Sequence, residues 1–129
     1  MKINEILTFK KEYEEVTKKG EYILCPDICN IDKIGCIYND VITLYKTMGK
    51  KYTERQITIA MIALLYSPRT YIGKSLERGI RDEIARIIGS STSNISNTLT
   101  NVVSWYGIYS DFRETINDIY NNIDINKYK

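Results

Sequence analysis

Ten consecutive residues, "ITIAMIALLY" from Ile57 to Tyr66, contain no charged side chain. Apolar groups cover nearly every face of a helix written on this stretch, so the rest of the chain must wrap around it. Thr53 and Gln56 stand at the spacing of a capping box, and Pro68 closes the segment. A bilayer-spanning helix needs about 20 apolar residues, so this one is expected to be the buried centre of a globular fold.

The flanking segments supply amphipathic partners. Ile3, Ile6, Leu7, Phe9, Tyr13 and Val16 fall roughly on one helical face that Gly20 ends, and "EYILC" reads as a short strand or extended tie. "PDICNIDKIG" has loop composition. Val41, Leu44, Tyr45 and Met48 repeat at helical spacing after a cap at Asn39 or Asp40, with Gly49 as the stop. Leu76, Ile80, Ile84, Ile87 and Ile88 mark a further helix whose outer face offers i,i+4 pairs: Glu77–Arg81, Arg78–Asp82 and Asp82–Arg86. "GSST" breaks it. A helix burying Ile95, Leu99, Val102, Val103 and Tyr106 follows, with Gly107 marking its end. Asp111 and Glu114 have capping-box spacing before a terminal helix carrying Phe112, Ile116, Ile119, Tyr120 and Ile123. At 129 residues the chain is expected to be a single domain, with an N-terminal helical part over 1–70 and a C-terminal helix over 111–123.

Charge is distributed unevenly. Between Val41 and Ser110 there are nine basic residues against four acidic ones, although the whole chain carries only +2. A mildly basic middle fits a polyanionic partner. Within it, no Asp, Glu, Lys or Arg occurs between Arg86 and Asp111, a run of 24 residues rich in Ser, Thr and Asn. A solvated surface or a helix packed on a partner subunit accounts for such a run as well as a ligand-reading face does.

The run contains a recognisable spacing: Ala85, then Gly89 four positions on, then Ile95 six positions after the glycine. This resembles the helix-turn-helix of phage repressors and bacterial regulators, over residues 74 to 106, about a quarter of the chain. The physical reasons are general. A small residue allows two helices to cross closely, a glycine tolerates positive φ in the turn, and an aliphatic residue pins the second helix to the core. Ser90 departs from the pattern, where an aliphatic residue is usual. The resemblance implies that Ser91, Thr92, Ser93, Asn94, Ser96 and Asn97 face the major groove of double-stranded DNA. Asn forms a bidentate pair with adenine, and short hydroxyls reach phosphates or base edges. Arg69, Lys74, Arg78, Arg81 and Arg86 would supply the non-specific grip on the phosphates. "TERQ" and "YSPRT" give a weaker resemblance to phage small terminase subunits, at a shorter spacing than in that family.

Other chemistries have no visible apparatus. The chain has no His, which removes Ser-His-Asp and Cys-His systems, and it has no Gly-rich phosphate loop. Cys25, Cys29 and Cys36 lack a fourth soft ligand and read as idle thiols; their odd number and close spacing argue against a secreted disulfide framework. Eleven tyrosines and Trp105 are not interleaved with basic residues as a single-strand stacking platform requires. Tyr106 reads as core; Trp105 and Tyr109 read as core or as cover for a dimer surface. The excess of Ile, Asn, Lys and Tyr is that of an AT-rich coding sequence, compatible with a phage or mobile element.

The expectation is therefore an all-α bundle of about six helices containing a helix-turn-helix. It is expected to act in the cytoplasm as a non-enzymatic transcriptional regulator, without cofactor or metal. A homodimer is expected because one such motif contacts few base pairs. The rival expectations are a phage DNA-packaging or virion-assembly protein and a helical protein–protein interaction module.

Overall fold

The structure, a computed structural model, describes residues 26–49 and 51–129. It is all-α: five α-helices and three short 3₁₀ turns, with no strand among the described residues. The helices are α1 (Ile34–Tyr45), α2 (Glu54–Tyr66), α3 (Arg78–Ile88), α4 (Thr92–Ile108) and α5 (Ser110–Asn122). The helix expected over residues 3–16 and the tie "EYILC" lie outside the described residues.

Helix α2 is the centre. Every residue from Ile57 to Tyr66 is buried, and α2 packs against all four other helices. Both halves of its capping box form: Thr53 Oγ1 accepts from Gln56 N at 3.2 Å, and Gln56 Oε1 accepts from Thr53 N at 3.0 Å. At the other end the carbonyl of Leu65, which α2 itself leaves without a donor, accepts from Asp27 N at 2.9 Å and Ile28 N at 3.1 Å. Ser67 follows as the C-cap and Pro68 opens the 3₁₀ turn Pro68–Ile72.

Tyrosine hydroxyls latch the outer elements to this centre. Tyr71 donates to Ala60 O at 2.7 Å and Tyr66 to Asn30 O at 2.6 Å. Tyr45 donates to Tyr52 O and accepts from Tyr52 N, both at 2.8 Å, closing the loop between α1 and α2. The C-terminal 3₁₀ turn Ile125–Tyr128 folds onto α1, where Tyr128 and Lys127 both donate to the Asp40 carboxylate. Those two bonds hold Asp40 below the ordinary carboxylate range.

Several expected boundaries move, each because tertiary burial outweighs local signals. Helix α1 starts at Ile34, inside the expected loop, because Ile34, Ile37, Val41 and Tyr45 form one buried stripe. Asn39 and Asp40 therefore sit within the helix and do not cap it, and it ends at Tyr45 ahead of Gly49. Leu76 is buried but precedes α3, whose N-cap is Glu77. Helix α4 runs through Gly107 to Ile108 and breaks at Tyr109. Arg113 takes over the stop by donating to the carbonyls of Tyr106 and Gly107, at 3.0 and 3.4 Å. Asp111 is not the cap of α5; it lies in the first turn, accepts from Phe112 N and pairs with Lys51.

Thr58 brings an unmatched polar group into the described core. The Thr58 hydroxyl is fully buried and makes no hydrogen bond with the described residues. Removing an unsatisfied hydroxyl while keeping its shape relieves desolvation cost. Thr58→Val is expected to leave chemical-denaturation stability equal or higher, by up to about 1 kcal/mol. A loss of more than about 1 kcal/mol would show that the hydroxyl has a partner.

Candidate functional site

Helix α3, a three-residue turn and helix α4 form one unit. Gly89 ends α3 in the left-handed region, at φ 75° and ψ 42°, where a side chain would be strained. Its N–H and that of Ser90 both donate to Ala85 O, at 2.9 and 3.0 Å. Ser91 then begins α4 as its N-cap, accepting from Asn94 N at 3.1 Å. Ala85 is buried in the packing of α3, and Ile95 has no exposed surface. Two residues along a helix is a rotation of about 200°, so burying Ile95 turns Asn97 outward. Leu99 and Val103 are partly buried against the core; Val102 and Tyr106 are fully buried.

The outward face of α4 is polar and uncharged. Thr92, Ser93, Asn94 and Asn97 are exposed. Asn101 is exposed as well, one turn beyond Asn97, and extends the asparagine row to Asn94–Asn97–Asn101. Asn101 stands four residues after Asn97 in the sequence, but the expected face stopped short of it. Ser91 is exposed, but its hydroxyl is committed to the cap.

The basic residues divide. Arg81 turns inward: it is half-buried, and its Nη1 donates to Ser96 Oγ at 3.3 Å. It does not form the expected outer pair with Glu77, which stands outside α3 as the N-cap. Arg86 lies five residues on, about 140° around the helix, and so faces away from α4. It pairs with Glu83 at i,i+3 in place of Asp82, and this contact holds the Glu83 carboxyl below its ordinary value. Arg78 pairs loosely with Asp82 at 3.9 Å, both exposed. Arg69, in the 3₁₀ turn, and Lys74, in the segment before α3, are exposed.

Two clefts meet at Arg81 and Ser96. One, of about 340 Å³, is lined by Arg81, Thr92, Ser93, Ser96 and Asn97. Five of the expected contact residues thus come together at the start of α4. The other, of about 330 Å³, runs between residues 70–76 and α4. Arg69, Arg78 and Arg86 line neither cleft. Among the described residues the arrangement offers hydroxyl and amide groups with one shielded guanidinium and no carboxylate at the α4 N-terminus, suited to binding an electron-rich, anionic surface by hydrogen bonds.

Cys29 and Cys36 are exposed free thiols, and Cys25 lies outside the described residues. Trp105 packs against Tyr52 and Phe112, with ring centroids at 5.9 and 5.7 Å, so it belongs to the core rim; Tyr109 is half exposed. No helix among the described residues is long and apolar enough to cross a membrane. No protein-family model, curated protein or solved structure matches the chain.

Because the Ser91 hydroxyl is the cap of α4, Ser91→Ala is expected to lower stability by about 1 kcal/mol. Ser91→Asp, which also caps, is expected to restore it in the same thermal melt. Equal stability of all three proteins would contradict the assigned cap.

Proposed function

We propose that this chain is a helix-turn-helix protein that binds double-stranded DNA, with α3 and α4 as the motif and the first turns of α4 as the reading element. The observation that carries the reading is the division of α4: Ile95 is wholly buried, while Thr92, Ser93, Asn94 and Asn97 are left exposed on an uncharged helix. The left-handed Gly89 and the buried Ala85 meet the steric needs of the turn and the crossing.

In this reading Asn94 and Asn97 address base edges, where each good bidentate pair contributes about 1–3 kcal/mol of discrimination. Thr92 and Ser93 bond phosphates or base edges beside them. Arg69, Lys74, Arg78 and Arg86 supply long-range attraction to the backbone. Arg81 acts differently from the other cations: it orients Ser96 from behind and adds positive charge beneath the reading face. The absence of acid along the whole of α4 avoids repulsion from the phosphates.

The biological role that fits is transcriptional regulation, of a phage or mobile element, by a homodimer on two half-sites. Ile108 and Tyr109 favour self-association: they are adjacent, 67% and 50% exposed, at the junction of α4 and α5. Light scattering is expected to report a dimer. A ring of many subunits would instead favour the packaging role of a small terminase subunit.

The direct test combines selection of duplexes from a random pool with variants. Asn94→Ala and Asn97→Ala are each expected to weaken binding to the selected site by about 1–3 kcal/mol without changing the melting temperature. Arg86→Ala and Lys74→Ala are expected to weaken binding to all duplexes alike and to flatten the salt slope. Unaltered affinity in both asparagine variants would contradict the reading face. Selection that enriches no duplex would contradict DNA binding altogether.

A further inference from the structure

We propose that the cleft between residues 70–76 and α4 is a binding site for a small organic anion, a carboxylate carrying a short apolar body. Ser96, Leu99, Thr100 and Val103 lie on one face of α4 and line it over about 10 Å of the helix. Ser96 meets Arg81 at one end of this face, and Leu76, Leu99 and Val103 supply apolar lining beside Thr70 and Thr100. Lys74 is a second cation of the lining, and among the described residues no carboxylate contributes to it. The volume of about 330 Å³ lies at the small end of the range for ligand sites.

Arg81 gives the cleft its selectivity. A guanidinium has five N–H donors, and among the described residues only one bond from Arg81 is formed, the 3.3 Å contact to Ser96. Its buried Nε has no acceptor among the described residues. A half-buried cation with so little compensation gains from an anionic acceptor more than an exposed one would. The neighbouring cleft at the α4 N-terminus, lined by Thr92, Ser93 and Asn97, has no apolar wall among the described residues and is the better match to a bare phosphate. The apolar wall of Leu76, Leu99 and Val103 separates the two ligand classes: it rewards a hydrocarbon body that a DNA phosphate lacks.

Because Arg81 and Ser96 belong to both clefts, a bound anion draws on the donors that sit beneath the reading face and adds negative charge there. The site then acts as an effector site that weakens duplex binding. This coupling rests on the proposed DNA reading; anion binding itself does not.

The test uses isotope-labelled full-length protein without DNA, titrated with hexanoate and, as the uncharged counterpart, 1-hexanol. Hexanoate is expected to bind saturably at about millimolar concentration or tighter, with amide shifts confined to 70–76, 81 and 96–103. Hexanol is expected to bind at least about tenfold more weakly. Thr100→Trp, at an exposed position, fills the cleft and is expected to abolish the shifts even if an Arg81→Gln protein does not fold. No saturation by about 10 mM, equal binding of hexanol, or shifts outside this cleft would overturn the site. In a parallel duplex assay hexanoate is expected to lower affinity about fivefold or more. Saturable hexanoate binding with unchanged duplex affinity would overturn the effector role. Failure of every duplex to bind would overturn the DNA reading, while the titration on protein alone still decides the anion site.

Discussion

Burial of α2 on all sides is the constraint from which the rest of the structure follows. A helix with no solvated face must be enclosed by other elements, and among the described residues four helices pack against it. The enclosure fixes rotation as well as position. Helix α4 can satisfy α2 only by turning Ile95, Val102 and Tyr106 inward, and the polar residues between them are then presented outward. The candidate reading face is thus a consequence of how the core closes.

The same enclosure leaves little room for polar side chains around α2, and tyrosine reconciles bulk with hydrogen bonding. Tyr66 and Tyr71 bring hydroxyls on large apolar rings, so each fills core volume while reaching a backbone carbonyl. Burial raises the pKa of both phenols above the ordinary tyrosine value, which keeps them neutral donors. These tyrosines are structural latches, which accounts for part of the aromatic content without a stacking platform for single strands.

Signals that act within a few residues were legible in the sequence. The Thr53–Gln56 box, the Pro68 stop and the Ala85–Gly89–Ile95 spacing depend on local geometry and were readable as such. The all-α class followed from periodicity. What was not legible depended on distant partners. Arg81 looked like an outer-face residue because Glu77 stood four positions away, yet Glu77 became a cap and Ser96, fifteen residues on, became its partner. The start of α1 and the break at Tyr109 were likewise decided by burial of Ile34 and by Arg113, neither of which carries a boundary signal of its own. Within the candidate site, the exposed hydroxyls and amides were readable from helical phase; the two clefts meeting at Arg81 were not, because the segment 70–76 forms one wall.

The account stands on the claim that the outward face of early α4, held by buried Ile95, meets a DNA groove. The most direct measurement is an amide chemical-shift titration of the full-length protein with a duplex at low salt. The account predicts that the largest changes fall on residues 92–97 and fade along α4 beyond Asn101. Changes concentrated on α1 and α5, with residues 92–97 unmoved at saturation, would contradict it.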